Sequence, residues 1–417
     1  MKLTLKRAVA AILLMLGLVM SGLAAPVAAT PLDDAAAAAE KGDYTTAVRL
    51  WRPLADQGDT DAQYNLGIMY FTGQGTAQDP AEAAKWFRKA AEQGDVNAQY
   101  NLGAMYDQGA GVPRSDAEAL QWYRKSAEQG HAAAQTNLGG MYDHGRGVAK
   151  DPAEAVKWYR LAAKQGFAPG QFDLGTMYYA GTGVAHDDAE ALKWVRMAAE
   201  QGVAMAQNFL GKMYEDGRGN ARDDAEAAKW FGKAAEQGSA DGQLNLGSSY
   251  LDGRGVTQNF AEAMKWFRLA AEQGKPGAEY GVALLYERGN GVAQDYAEAV
   301  KWYRRAADRG FPPAEVNLGV RYETGKGVAL DYAEAVNLYR KAAEQGFAVA
   351  QNNLGSMYGR GLGVPKDVVQ AYLWYTLAAP HYKDAGKSVE LVSRQMTPAQ
   401  ITEAQKLVME WKPGAGR

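Results

Sequence analysis

Residues Asp59 to Gly94 read DTDAQYNLGIMYFTGQGTAQDPAEAAKWFRKAAEQG. Ala62, Leu66, Met69 and Tyr70 fall at i, i+4, i+7 and i+8, so they form one apolar stripe of a helix. Gly73 and Gly75 end it. Asp79-Pro80-Ala81-Glu82 then opens a second helix, with Asp79 as N-cap, Pro80 in the first turn and Glu82 placed to reach back as a capping box. That helix turns Ala83, Trp86, Phe87 and Ala90 inward and stops at Gly94, which can turn left-handed at no Cβ cost. Gly67, next to Leu66, is expected to let a neighbouring helix backbone approach closely.

The stretch recurs. Tryptophan stands at 51, 86, 122, 158, 194, 230, 266 and 302, then Leu338 takes its place, then Trp374; after a first step of 35, every step is 36 residues. Tyrosine keeps the register from Tyr70 and Tyr106 to Tyr358, and the cap recurs at Ser115, Asp151, Asp187, Asp223, Asn259, Asp295, Asp331 and Asp367. A fixed period of this size marks a solenoid, in which no helix pair buries its apolar face without neighbours. It also explains 48 glycines in 417 residues, most of which punctuate helix ends. The ends differ from the repeats. A short Ala-rich helix, Gly42-Asp43-Tyr44 and a helix carrying Trp51 precede them; after Ala379 the sequence predicts a helix over 383–395 and a last one opened by Thr397-Pro398-Ala399-Gln400.

Composition narrows the function. The formal net charge of −3 lacks the basic excess that nucleic-acid binding uses, and zero cysteine removes disulfides, thiol nucleophiles and zinc sites of the Cys type. Lys2, Lys6 and Arg7 precede an apolar run from Ala8 to Leu23, and Val27-Ala28-Ala29 supplies small residues, so residues 1–29 read as a signal peptide. An uncleaved N-terminal anchor is the alternative. Export follows, to the periplasm or beyond the cell, with no membrane span once the signal is removed.

The pattern Leu66-Gly67, Tyr70, Gly73, Gly75, Asp79, Glu82-Ala83, Trp86 and Ala90-Ala91-Glu92-Gln93-Gly94, repeated from Ala134 to Gly166, resembles the Sel-1-like repeat family. The resemblance covers 59–382 as nine repeats; residues 30–58 look like a capping unit of the related tetratricopeptide type, and 383–417 like the helical cap and tail of exported bacterial members. It implies an all-α fold, a right-handed αα-superhelix of helix-turn-helix repeats, acting as an adaptor for protein complexes in the bacterial envelope, in some members a regulator. Leu338 for Trp and Ala283 for the Gly of the Leu-Gly pair depart from the pattern, and packing is expected to loosen over 281–340.

No residue receives a catalytic, cofactor-binding or metal-binding assignment. H-E-x-x-H, G-x-S-x-G and P-loop strings are absent, the Gly-x-Gly pairs lack the strand of a dinucleotide site, and His131, His144, His186 and His381 lie in turns of separate units. The Trp, Tyr and Met columns read as core. Binding is left to positions that vary between repeats. By alignment with tetratricopeptide repeats these line a concave groove and include Tyr64, Phe71, Tyr100, Asp107, Asp143, Phe172, Tyr179, Glu215, Tyr280, Glu287 and Glu323. The mixture of aromatic anchors and acids suits a protein or peptide segment with apolar and basic side chains. Ordinary solvated positions are the plain alternative. A glycan or peptidoglycan binder using the same aromatics, and a cell-wall or antibiotic hydrolase, are the alternative functions.

Overall fold

The computed structural model describes residues 30–414. Residues 1–29, expected above to be a signal peptide, lie outside the described residues. The described residues form 22 helices and no strand, the all-α class of αα-superhelical repeats. The first helices include Thr60–Thr72, Val96–Gln108 and Ala168–Ala180; the second helices include Pro80–Glu92, Asp116–Glu128 and Pro152–Lys164. Two compact units result. One takes the chain to Met141 with Gly145–Lys150, the other Tyr142–His144 with the chain from Asp151.

Local chemistry explains the punctuation. Asp79 Oδ1 accepts from the amides of Ala81 and Glu82 at 3.0 Å each, and Gly73 closes the preceding helix at φ 76°. The second glycine of each loop has a further reason to lack a side chain. A Cβ on Gly75 would overlap the carbonyl of Tyr44, and one on Gly111 that of Pro80, where the loop of one repeat presses on the first turn of the previous repeat's second helix. Positive φ and this contact both demand glycine.

Three sequence expectations change in detail. Capping boxes form at Thr30/Asp33 and Thr397/Gln400. Several of the repeat glutamates do another job: Glu82 accepts from Trp86 Nε1 at 3.1 Å and Glu190 from Trp194 Nε1 at 2.9 Å, and Glu226 and Glu298 do the same for Trp230 and Trp302. The indole N–H is half-buried, and the Asp79 amide that a capping box would use already donates to the Tyr70 carbonyl at 2.8 Å, so the carboxylate turns to the tryptophan. Gly67 makes room for a ring rather than a backbone, since a Cβ there would lie 2.6 Å from Phe87; Gly103 does the same for Tyr123 and Gly319 for Tyr339. Leu338 and Ala283 are buried together in one core cluster, so the Trp position is filled rather than loose.

Candidate functional site

All eleven groove positions are half-buried. In the first unit, the Tyr64 ring lies 5.9 Å from that of Phe87, and the Tyr100 ring lies 5.9 Å from that of Tyr123 and 4.7 Å from the His131 imidazole. Burial pushes the Tyr64 hydroxyl up to about 12; Asp95 adds to the rise and a hydrogen bond with Asn101 opposes it. Burial lowers the pKa of His131, whose Nδ1 accepts from the Ala134 amide and so caps a helix. Phe71 sits half-buried on the last turn of Thr60–Thr72. In the second unit, Phe172 and Tyr179 both pack on Phe209, at 5.9 and 4.9 Å, and Tyr280 packs on Tyr303 and Phe311.

Four of the five acids are already engaged by the next repeat, Asp143 lying instead beside His144 of its own helix. Arg146 meets Asp107 at 2.7 Å, Arg254 pairs with Glu215, Arg321 lies 3.7 Å from Glu287, and Arg360 lies 3.2 Å from Glu323. Arg218 covers the Tyr179 ring at 4.2 Å from its centroid. The variable column is therefore a set of ties between repeats as well as a surface, a role the sequence reading did not assign. Its signal was present: the acids Asp107, Asp143, Glu287 and Glu323 each stand sixteen residues before a tyrosine, namely Tyr123, Tyr159, Tyr303 and Tyr339. The Tyr303 hydroxyl donates to Glu287 at 2.6 Å and that of Tyr339 to Glu323 at 2.8 Å. Asn317 Nδ2 in turn donates to the Tyr303 oxygen at 3.1 Å.

A second polar series also escaped the sequence reading. Gln63, Gln99, Gln171, Gln207 and Gln243 are buried on the first helices. Each side-chain amide donates to a carbonyl of the preceding helix, as Gln63 does to Ala55 at 3.0 Å, and accepts from the glutamine thirty residues on, as from Gln93 at 2.7 Å. In two repeats a carboxylate occupies the slot, before it returns to glutamine at Gln351: fully buried Glu279 meets Arg305 at 3.1 Å and Arg309 at 3.2 Å, and Glu315 accepts from Gln345 at 3.0 Å. On the other side of the second helices arginines reach the tyrosine column, for example Arg52 to Tyr70 at 2.9 Å and Arg340 to Tyr358 at 2.9 Å. A buried polar atom without such a partner would cost about 1–3 kcal/mol, so these series fix the register of each repeat on the next.

No group of three or more metal-ligating side chains comes together among the described residues. His186 Nδ1 lies 2.9 Å from the Tyr179 carbonyl and its Nε2 3.4 Å from Asp188, while His144 lies 3.7 Å from Asp143. His381 is exposed. A cavity of about 280 Å³ between the helices Val368–Ala378 and Pro398–Glu410 is lined by Tyr372, Thr376, Gln405, Val408 and Met409, none of them a groove position. No helix of the described residues is long and apolar enough to cross a membrane.

A family profile described as Sel1 repeat matches residues 38–59, 60–95, 96–131, 132–167, 168–203, 204–239, 240–275, 276–311, 312–347 and 348–379. The chain belongs to the Sel1 repeat family. Sel1 repeat proteins are generally protein-interaction scaffolds and typically non-catalytic. The profile reaches into 38–59, the stretch likened above to a tetratricopeptide unit. Among solved structures the chain is similar to a protective antigen with an SLR fold present in uropathogenic Escherichia coli strains, at 36% identity and TM-score 0.51, covering 87% of this chain and 94% of that one. It is similar too to a Sel1 repeat protein from Oxalobacter formigenes, at 39% identity and TM-score 0.58, covering 74% of this chain and 89% of that one. No curated protein matches it.

Proposed function

We propose that this Sel1 repeat protein is a non-enzymatic scaffold of the bacterial envelope, exported to the periplasm by residues 1–29, capped by 30–58 and 383–417, and binding a protein or peptide segment along the first helices of the repeats in 59–382. The observation that carries the reading is the state of the variable aromatics. Tyr64, Tyr100, Phe172, Tyr179 and Tyr280 are partly accessible, yet each is held against a neighbouring ring. Rings fixed in this way lose little freedom on binding, which is what anchors of a protein interface need. The arginine-paired acids add polar rim rather than free negative charge. A polysaccharide would need open ring faces for stacking, and Tyr100 is packed against two rings, those of Tyr123 and His131, which favours the protein reading.

The test is site-specific photo-crosslinking in the native cells. A crosslinker at Tyr64, Phe71 or Tyr179 is expected to trap the same protein partner, while one at exposed Lys85 on a second helix traps none. Equal yields at both classes of position, or capture of glycan alone, would overturn the proposal.

A further inference from the structure

The series of arginines that reach the tyrosine column is interrupted at one repeat. Just before the interruption, Arg196 of the second helix Asp188–Glu200 bonds the Tyr214 hydroxyl; just after it, Arg268 of Phe260–Glu272 reaches the Tyr286 hydroxyl at 2.6 Å. Both pairs are separated by eighteen residues. By the same count the partner of Tyr250 is position 232, and that position is glycine. Gly232 stands inside the helix Asp224–Glu236, where a glycine weakens the helix relative to alanine.

Everything around the missing side chain is in place. The helix packs on the first helix Ala240–Asp252 so closely that a Cβ on Gly242 would lie 2.7 Å from that of Ala234, and Gln243 Nε2 donates to the Ala235 carbonyl at 3.3 Å. Tyr250 and Trp266 pack on one small core with Phe231 and Leu246. Among the described residues the Tyr250 hydroxyl has no hydrogen-bond partner, and a Cβ on Gly232 would meet nothing within 4 Å. The nearby lysines are held elsewhere, Lys229 by Glu226 at 2.8 Å and Lys233 over the Trp230 ring at 3.8 Å from its centroid. Arg52, at the start of the array, shows what such a cleft holds. It donates to Tyr70 at 2.9 Å, lies 5.2 Å from the ring centroid of the next tryptophan, Trp86, and meets Asp56 four residues on at 3.5 Å. The equivalents at Gly232 are Tyr250, Trp266 and exposed Glu236. Lys265 already lies over the Trp266 ring, but Trp86 takes Lys89 as well as Arg52, so one indole accommodates both cations.

We propose that the cleft beside Gly232, Tyr250 and Trp266 is a docking site for an arginine side chain of a partner protein, which supplies from outside the guanidinium that the flanking repeats supply from their own chain. A guanidinium fits because its planar fork donates to the tyrosine oxygen while its face lies over the indole, and the Glu236 carboxylate offers a counter-charge. A lysine ammonium has no such plane. The cleft opens at a second helix, so it is a contact surface additional to the groove along the first helices.

The test is NMR of the full chain labelled on tyrosine rings, with the Tyr250 signal assigned by its absence in Tyr250→Phe. The probe is an end-blocked pentapeptide with one arginine among glycines. A saturable shift of the Tyr250 signal is expected, and binding about tenfold weaker when citrulline, which keeps the shape and loses the charge, replaces the arginine. Gly232→Arg should abolish the shift by filling the cleft from within, whereas Gly232→Ala, which adds one methyl group in open space, should keep it. Gly232→Arg should also resist urea better than Gly232→Ala, although alanine is the better helix former. No saturable shift, an equal response to citrulline, a shift that survives Gly232→Arg, or a Gly232→Arg chain no more stable than Gly232→Ala would overturn the site. A response to free guanidinium ion but not to the peptide would overturn the protein partner.

Discussion

The repeats around Gln63 and Gln99 and those around Glu279 and Glu315 solve one problem with different chemistry. In the first region a neutral amide fills the slot between helices, bonded to a carbonyl behind and a glutamine ahead. In the second a fully buried carboxylate fills it, and at Glu279 two half-exposed arginines replace the single glutamine. The backbone around both is the same, since each slot lies in a thirteen-residue helix with a left-handed glycine cap. What the slot requires is therefore a polar group held by a hydrogen-bonding or ion-pair partner, not a particular one. The charged version carries a larger penalty for desolvation and depends on its partners more heavily.

The largest effect should come from breaking the charged version. Arg305→Ala with Arg309→Ala leaves Glu279 buried and uncompensated, and about 3 kcal/mol should be lost, the low end for a broken buried pair because both guanidinia are half-exposed to screening solvent. Urea unfolding followed by circular dichroism measures it. A smaller loss, about 1–2 kcal/mol, is expected for Gln273→Ala, which strips the donor from buried Gln243 and from the Gly238 carbonyl. A loss as large as that of the arginine pair would show that charge is irrelevant to the comparison. The smallest change should follow the double exchange Glu279→Gln with Arg309→Gln, which rewrites the second region in the chemistry of the first; the midpoint should move by less than about 1 kcal/mol equivalent.

The helices were legible because their signals are local and repeat. The cap at Asp79, the left-handed Gly73 and the stripe of Ala62, Leu66 and Met69 each fix one turn, and a step of 36 residues multiplies the evidence. The groove was legible only as a place. Half-burial of Tyr64 or Glu323 depends on what the following repeat sets against them, and no position within a single repeat encodes that. Gln63 shows the same limit from the other side: a polar residue beside Ala62 on an apolar face announces a buried partner, but the partner, Gln93, lies a helix away. The glutamates at the third helical position misled for a related reason. Their capping role and their tryptophan role have the same sequence, and only the Asp79 amide, already given to the Tyr70 carbonyl, decides between them.

The second glycine of the loop carries a consequence for how such a chain can change in length. Gly75 meets Tyr44, Gly111 meets Pro80 and Gly363 meets Tyr332, always thirty-one residues back. A one-residue insertion between the two partners removes the glycine from its contact and puts a Cβ or a wrong φ in its place. Deleting a block of 36 brings the next glycine to the same carbonyl. Growth and shortening of the array are thus quantised in whole repeats, and the smallest viable edit is one complete turn of the pattern.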